Sequence, residues 1–79
     1  MPSERPLTLS TARCGQRLRV IAVRPESPDC NRLQEMGFRE KSELFKLSEG
    51  PAILCTLAGV RLALGSALGS AILVEAVSA

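Results

Sequence analysis

Three cysteines carry the most reactive side chains of this 79-residue sequence: Cys14, Cys30 and Cys55. They are separated by sixteen and twenty-five positions, no C-x-x-C pair occurs, and the chain has no histidine. Because zinc sites need closely spaced thiolates or imidazoles, the sequence predicts neither a metal site nor a bound cofactor. Cys30 and Cys55 fall on apolar stripes, where cysteine behaves as a small hydrophobic residue. Cys14, next to Gly15, remains the candidate for an exposed thiol that could capture iron or copper.

The densest group of basic residues lies between positions 13 and 24 and consists of Arg13, Arg17, Arg19 and Arg24. Arginines presented on one face of a small domain could contact phosphates or anionic lipid headgroups. The chain as a whole carries a net charge of only +2, and two Phe without Tyr or Trp offer little for base stacking. We therefore expect a solvated strand face and no nucleic-acid partner.

Length and composition predict one small folded domain over residues 1–79 that is not an enzyme. A hydrophobic content of 46% with 23% charged residues is too apolar for a disordered chain. Without histidine, and without paired carboxylates beside a nucleophile, no catalytic constellation is evident. The odd cysteine count and the absence of an apolar leader predict a cytoplasmic protein. We expect residues 1–6 to form a disordered N-terminal tail. The longest uncharged run, residues 62–74, is too short to span a bilayer.

Alternating apolar residues and turn signals predict five short strands. In chain order these are Gln16–Val23, Glu43–Ser48, Ile53–Ala58, Val60–Leu64 and Ala71–Val77. Ile21 and Val23 break the strict alternation of the first strand, which indicates either a β-bulge or burial on both faces.

One helix is predicted near residues 28–36, after the first strand. Ser27 would cap it, Pro28 would take the first helical position, and Gly37 would end it in a left-handed conformation. A helix of this length is not stable alone, so it must pack on the sheet.

The tetrapeptide Leu-Gly-Ser-Ala occurs twice in succession, at 64–67 and 68–71. We interpret it as a helical turn capped by Ser66, with a flexible connector as the alternative. Five strands and one helix favour a small antiparallel barrel of SH3-like architecture, because closure removes exposed sheet edges. Its predicted core contains Val20, Leu33, Met36, Leu44, Leu57, Leu62, Leu64, Ile72 and Val74.

The sequence resembles the FeoA family, the small cytosolic proteins of bacterial ferrous iron uptake, from Leu9 to Glu75. The matching pieces are Leu9-Ser10, Gly15-Gln16, Arg32-Leu33, Met36-Gly37-Phe38, the strand at residues 59–64 and the strand at residues 71–74. Their order and spacing carry the resemblance. The sequence departs from the family pattern at Glu40-Lys41, at the short loop 48–51 and at the uncharged turn 65–69, which concerns the partner surface rather than the fold.

This resemblance implies an SH3-like accessory or regulatory protein that docks on the cytosolic side of a FeoB-type membrane transporter, a GTPase. It would then be peripheral to the membrane only through that partner, and we expect a monomer or weak self-association. The alternative function is a small-barrel nucleic-acid binder or an interaction domain like that of iron-dependent regulators. The two functions differ in salt dependence, because a phosphate-binding surface of arginines loses affinity steeply as salt rises.

Strand alternation suggests where a partner would bind. It directs Ile53, Cys55 and Leu57 into the core and leaves Leu54 pointing outward. By the same alternation Leu73 and Val77 point outward from the last strand. We hypothesise an exposed apolar patch formed by Leu54, Leu68 and Leu73 and rimmed by Arg61. The alternative is that the short helix or residues 6–9 cover these side chains and make them part of the core.

Overall fold

In the computed structural model, which describes residues 7–77, the chain forms one antiparallel sheet of six strands. The strands are β1 (Leu7–Thr8), β2 (Gln16–Val23), β3 (Glu43–Ser48), β4 (Ala52–Leu57), β5 (Val60–Gly65) and β6 (Ile72–Ala76). Helix α1 spans Cys30–Met36 and helix α2 spans Ser66–Gly69. The strand order in the sheet is β1-β6-β2-β3-β4-β5. The mostly β class is as predicted, and the expected tail 1–6 lies outside the described residues.

The prediction of five strands is wrong by one, because β1 was not anticipated. This strand has two residues, Leu7 and Thr8, which pair with Val74 and Leu73 of β6. Two residues give no alternation that a sequence pattern could detect. Helix α1 therefore follows the second strand of the chain rather than the first. The bulge predicted in β2 is confirmed by a register shift between Val20 and Ala22.

Helix α1 ends as predicted but begins later. Gly37 has a φ of 112°, and the amide of Phe38 donates a hydrogen bond to the carbonyl of Leu33 at 3.1 Å. This is the Schellman arrangement, in which the residue after glycine folds back into the core. The predicted start at Pro28 is wrong. The Ser27 hydroxyl accepts a hydrogen bond from the Asp29 amide in a turn before the helix. The N-cap residue is Asp29, whose side chain makes no capping hydrogen bond.

The repeated tetrapeptide forms the predicted helical turn, α2. Its N-cap residue is Gly65, with no side-chain cap, so the expected cap by Ser66 is wrong. Ser66 is instead the first helical residue, and the Ser10 hydroxyl donates to its carbonyl at 2.6 Å. The turn is thereby attached to the segment that follows β1.

The core lies on the inner face of the curved sheet and under α1. Seven of the predicted core residues are buried: Val20, Leu33, Leu44, Leu57, Leu64, Ile72 and Val74. The prediction is wrong for Met36 and Leu62, which are half-buried and pack against the edge of this core. Both line a surface groove between the end of α1 and the β4–β5 hairpin, which leaves one side of each open.

Candidate protein-interaction site

An apolar groove opens between the end of α1 and the β4–β5 hairpin. It has a volume of about 370 Å³, and its apolar lining comes mainly from Met36, Leu57, Val60 and Leu62. Val60 is 56% exposed, more than any other large hydrophobic residue in the part of the chain that the structure describes. Strand β5, at the end of the strand order, provides one wall. A groove of this composition can receive apolar side chains of another protein.

The outer face of the sheet carries a row of four side chains, one from each of β2 to β5. The strand register places Arg17 opposite Phe45, Phe45 opposite Thr56, and Thr56 opposite Arg61. Residues directly opposite each other in antiparallel strands point to the same face. Both arginines are exposed, and the two central residues are half-buried. We refer to these four residues as the Arg17–Arg61 row.

Arg19 lies on the same face as Arg17 but is neutralised. Its guanidinium is 3.5 Å from the Glu43 carboxylate on β3 and 3.1 Å from the Glu75 carboxylate on β6. The guanidinium of Arg24, the residue after β2, lies 3.7 Å from the Glu26 carboxylate. The predicted basic cluster is therefore divided, because two of its members are held by carboxylates of this chain.

The structure brings together two of the four predicted partner-binding residues. Leu54 is opposite Ala63 on β5, and Arg61 is two positions before Ala63, so Leu54 and Arg61 are diagonal neighbours on the outer face. Leu73 lies on β6, and strands β2 and β3 separate β6 from β4 in the sheet.

Leu68, the fourth of these residues, is half-buried on α2 and packs against the core. The hypothesis of one contiguous patch is therefore wrong, because strands β2 and β3 separate two of its members. Contact of each residue with a partner stays a prediction.

Sequence reasoning missed a buried charged residue, Lys46. It lies on the inner face of β3 with no exposed surface. Its ammonium donates to the carbonyl oxygens of Leu9 at 2.8 Å, Ser10 at 3.3 Å and Ala12 at 2.7 Å, and to the Glu49 carboxylate at 2.7 Å.

The carbonyls around Lys46 belong to the loop after β1, whose hydrogen bonds are made largely within Thr8–Ala12. A buried charge is tolerated when hydrogen bonds replace its hydration. The Lys46 side chain therefore holds the loop after β1 against the inner face of β3.

The cysteines differ in access. Cys14 is exposed, Cys30 is half-buried, and Cys55 is buried in β4, where burial raises the pKa of its thiol. Within residues 7–77, no three Cys, Asp or Glu side chains are grouped so that they could hold a metal ion. No helix in the same residues is long and apolar enough to cross a membrane.

The fold is that of a small SH3-like barrel domain with an exposed apolar groove. The FeoA domain family matches residues 7–76 of this sequence, which is nearly the whole chain. The chain belongs to the FeoA family, and the predicted resemblance is confirmed. No curated protein matches it.

Solved structures have the same fold. A FeoA-like protein from Clostridium acetobutylicum is 24% identical, with a TM-score of 0.85 over 98% of this chain and 93% of that one. FeoA from Stenotrophomonas maltophilia in complex with zinc is 24% identical, with a TM-score of 0.77 over 87% and 89%. It is described as a prokaryotic SH3 domain protein with a suggested role as an activating factor of ferrous iron transport. FeoA from Chlorobium tepidum is also 24% identical, with a TM-score of 0.79 over 91% of this chain and 71% of that one.

Proposed function

We propose that this chain is an accessory protein of bacterial ferrous iron uptake that docks on the cytosolic face of a FeoB-type membrane transporter. Membership of the FeoA family supports the role in ferrous iron transport. The groove beside Val60 is the observation that supports docking on the transporter. An exposed apolar residue next to an apolar depression is typical of protein interfaces. The chain would act by binding rather than by catalysis, since it has no histidine and, in the part that the structure describes, no group of three Cys, Asp or Glu side chains that could hold a metal ion.

A binding assay with the detergent-solubilised transporter of the same organism tests this proposal. Val60→Asp places a charge in the groove, and we expect at least a tenfold loss of affinity with a change in unfolding free energy below about 1 kcal/mol. Asn31→Asp adds the same charge at an exposed position of α1 that lies outside the groove and away from the sheet, so it is the control and should bind like the wild-type chain. Absence of wild-type binding would refute the proposed function.

Leu54, Arg61, Leu68 and Leu73 are proposed as further partner contacts. Leu54→Asp tests the half-buried outer face of β4, where a docking residue should lose transporter binding and change the free energy of unfolding by less than about 1 kcal/mol. A loss of several kcal/mol would show that Leu54 is a core residue instead.

A further inference from the structure

We propose that the Arg17–Arg61 row binds an acidic, partly apolar segment of a partner protein. The row lies on the outer face of the sheet, whereas the groove beside Val60 lies between α1 and the β4–β5 hairpin. This inference rests on the proposed function in one respect: the transporter is the first partner to be tested.

The first argument is the difference between Arg17 and Arg19, two residues apart on the same face of β2. Arg19 has carboxylates on both neighbouring strands. Neither Arg17 nor Arg61 forms an ion pair with any carboxylate in residues 7–77. The positive charge of the row is thus available to another molecule, and a segment with carboxylates complements it.

The second argument is the surface between the two arginines. Phe45 and Thr56 are half-buried there. With Arg17, Glu43 and the β4–β5 turn they line a shallow depression of about 400 Å³, and Arg61 lies beyond Thr56 outside it. An aromatic ring and a hydroxyl between two guanidinium groups offer apolar contact and hydrogen bonding at the centre, with charge at the rim. This distribution is typical of protein interfaces, where aromatic residues and arginine are enriched.

Spacing and neighbouring charges favour a protein segment over a nucleic acid. Three strand spacings of about 4.8 Å place the backbones of Arg17 and Arg61 about 14 Å apart along the sheet, which is the length of about four residues of an extended peptide. Glu43 lies two residues before Phe45 on the same face, and the ion-pair cluster that it forms with Arg19 and Glu75 keeps one excess negative charge. A phosphate backbone carries closely spaced negative charges and would bring some of them against Glu43. A peptide can place neutral residues there and carboxylates only at the two arginines.

The experiment compares the wild-type chain with Arg17→Gln/Arg61→Gln. The control, Arg32→Gln/Arg39→Gln, removes the same charge at two exposed positions in and after α1. All three proteins are titrated with the solubilised transporter at low and at physiological salt. Amide NMR spectra of each are also recorded with poly-L-glutamate, with a single-stranded RNA oligonucleotide and with vesicles of anionic phospholipid.

We expect the Arg17/Arg61 variant to bind the transporter at least tenfold more weakly than the control variant does. Poly-L-glutamate should shift the amides of the row in the wild-type chain and leave those of the variant unchanged. Equal transporter binding by the two variants would overturn this inference and leave the proposed function intact.

If the wild-type chain does not bind the transporter, the proposed function fails, and the poly-L-glutamate titration alone tests the inference. Amide shifts that occur in the wild-type chain and are lost in the Arg17/Arg61 variant support the inference. Absence of shifts in the wild-type chain overturns it. Tighter binding of the RNA or the vesicles than of poly-L-glutamate, lost in the same variant, would also overturn it.

Discussion

The ammonium of Lys46 donates a hydrogen bond to the carbonyl of Ala12 at 2.7 Å, although the two residues are thirty-four positions apart in the sequence. The contact joins β3 to the loop after β1, which lies at the far end of the strand order. A side chain thus links two parts of the barrel that strand pairing does not connect directly.

Replacing Lys46 by Met should destabilise the fold by about 3 to 5 kcal/mol, because it leaves three carbonyls and one carboxylate without their donor. Glu49→Gln should cost less than about 1 kcal/mol, since the Glu49 side chain is 56% exposed. Urea unfolding measures both. Lys41→Met, at an exposed position, is the control and should change little. A loss below about 1 kcal/mol in Lys46→Met would contradict the structural role given to this residue.

The two glycines of the repeated tetrapeptide should respond differently to alanine. A Cβ atom at Gly69 would lie 2.5 Å from the Ile53 side chain and 2.7 Å from the Ser10 hydroxyl, whereas one at Gly65 meets nothing within 4 Å. We expect Gly69→Ala to destabilise the protein by about 1 to 2 kcal/mol through overpacking. Gly65→Ala, the internal control, should be neutral or slightly stabilising, because it lowers the entropy of the unfolded chain. Equal thermal denaturation midpoints of the two variants would argue against this packing of α2 on β4.

The β4–β5 hairpin contains a strained residue that substitution should improve. Ala58 and Gly59 form its two-residue loop with φ values of 53° and 81°, as in a type I′ turn. A left-handed conformation disfavours alanine but is readily adopted by asparagine or glycine. Ala58→Asn should therefore raise the free energy of unfolding by about 0.5 to 1 kcal/mol in chemical denaturation. Ala63→Asn, in the adjoining strand, should have no such benefit, and equal gains at both positions would exclude turn strain as the cause.

Sequence patterns predicted β2 and β3 with their observed bounds and placed the helix stop at Gly37. These features depend on local signals: side-chain alternation, and a glycine whose positive φ other residues rarely adopt. In β3 the alternation puts Leu44 and Lys46 on one face and Phe45 and Leu47 on the other. Apolarity alone would favour burying the second pair.

The structure buries the first pair: Leu44, as predicted, and with it Lys46, which was not predicted. The carbonyls that accept from Lys46 are contributed by a loop thirty-four to thirty-seven positions away, and no local pattern reveals them. The hypothesised patch failed for a related reason. Alternation shows that Leu54 and Leu73 point outward, but their separation depends on the strand order, which alternation does not determine.

Access to the three thiols provides the last prediction. In the native protein at pH 8, the exposed Cys14 should react fastest with a disulfide reagent such as dithionitrobenzoate, and Cys30 more slowly. Cys55 should react only as fast as the protein unfolds, because burial excludes the reagent and raises the pKa of the thiol.

The raised pKa of Cys55 also makes the stability of the protein depend on pH. Above the ordinary thiol pKa the unfolded chain releases the Cys55 proton while the folded chain keeps it, so this contribution to stability is complete at neutral pH and declines as pH rises.

Two variants isolate the Cys55 effect. Cys14→Ser should remove the fast phase of labelling and leave the slow one unchanged. In Cys55→Val the slow phase should be absent, and stability should fall less between pH 8 and pH 10 than it does in the wild-type chain. Labelling of Cys55 at the rate of Cys14 under native conditions would contradict the placement of β4 in the core.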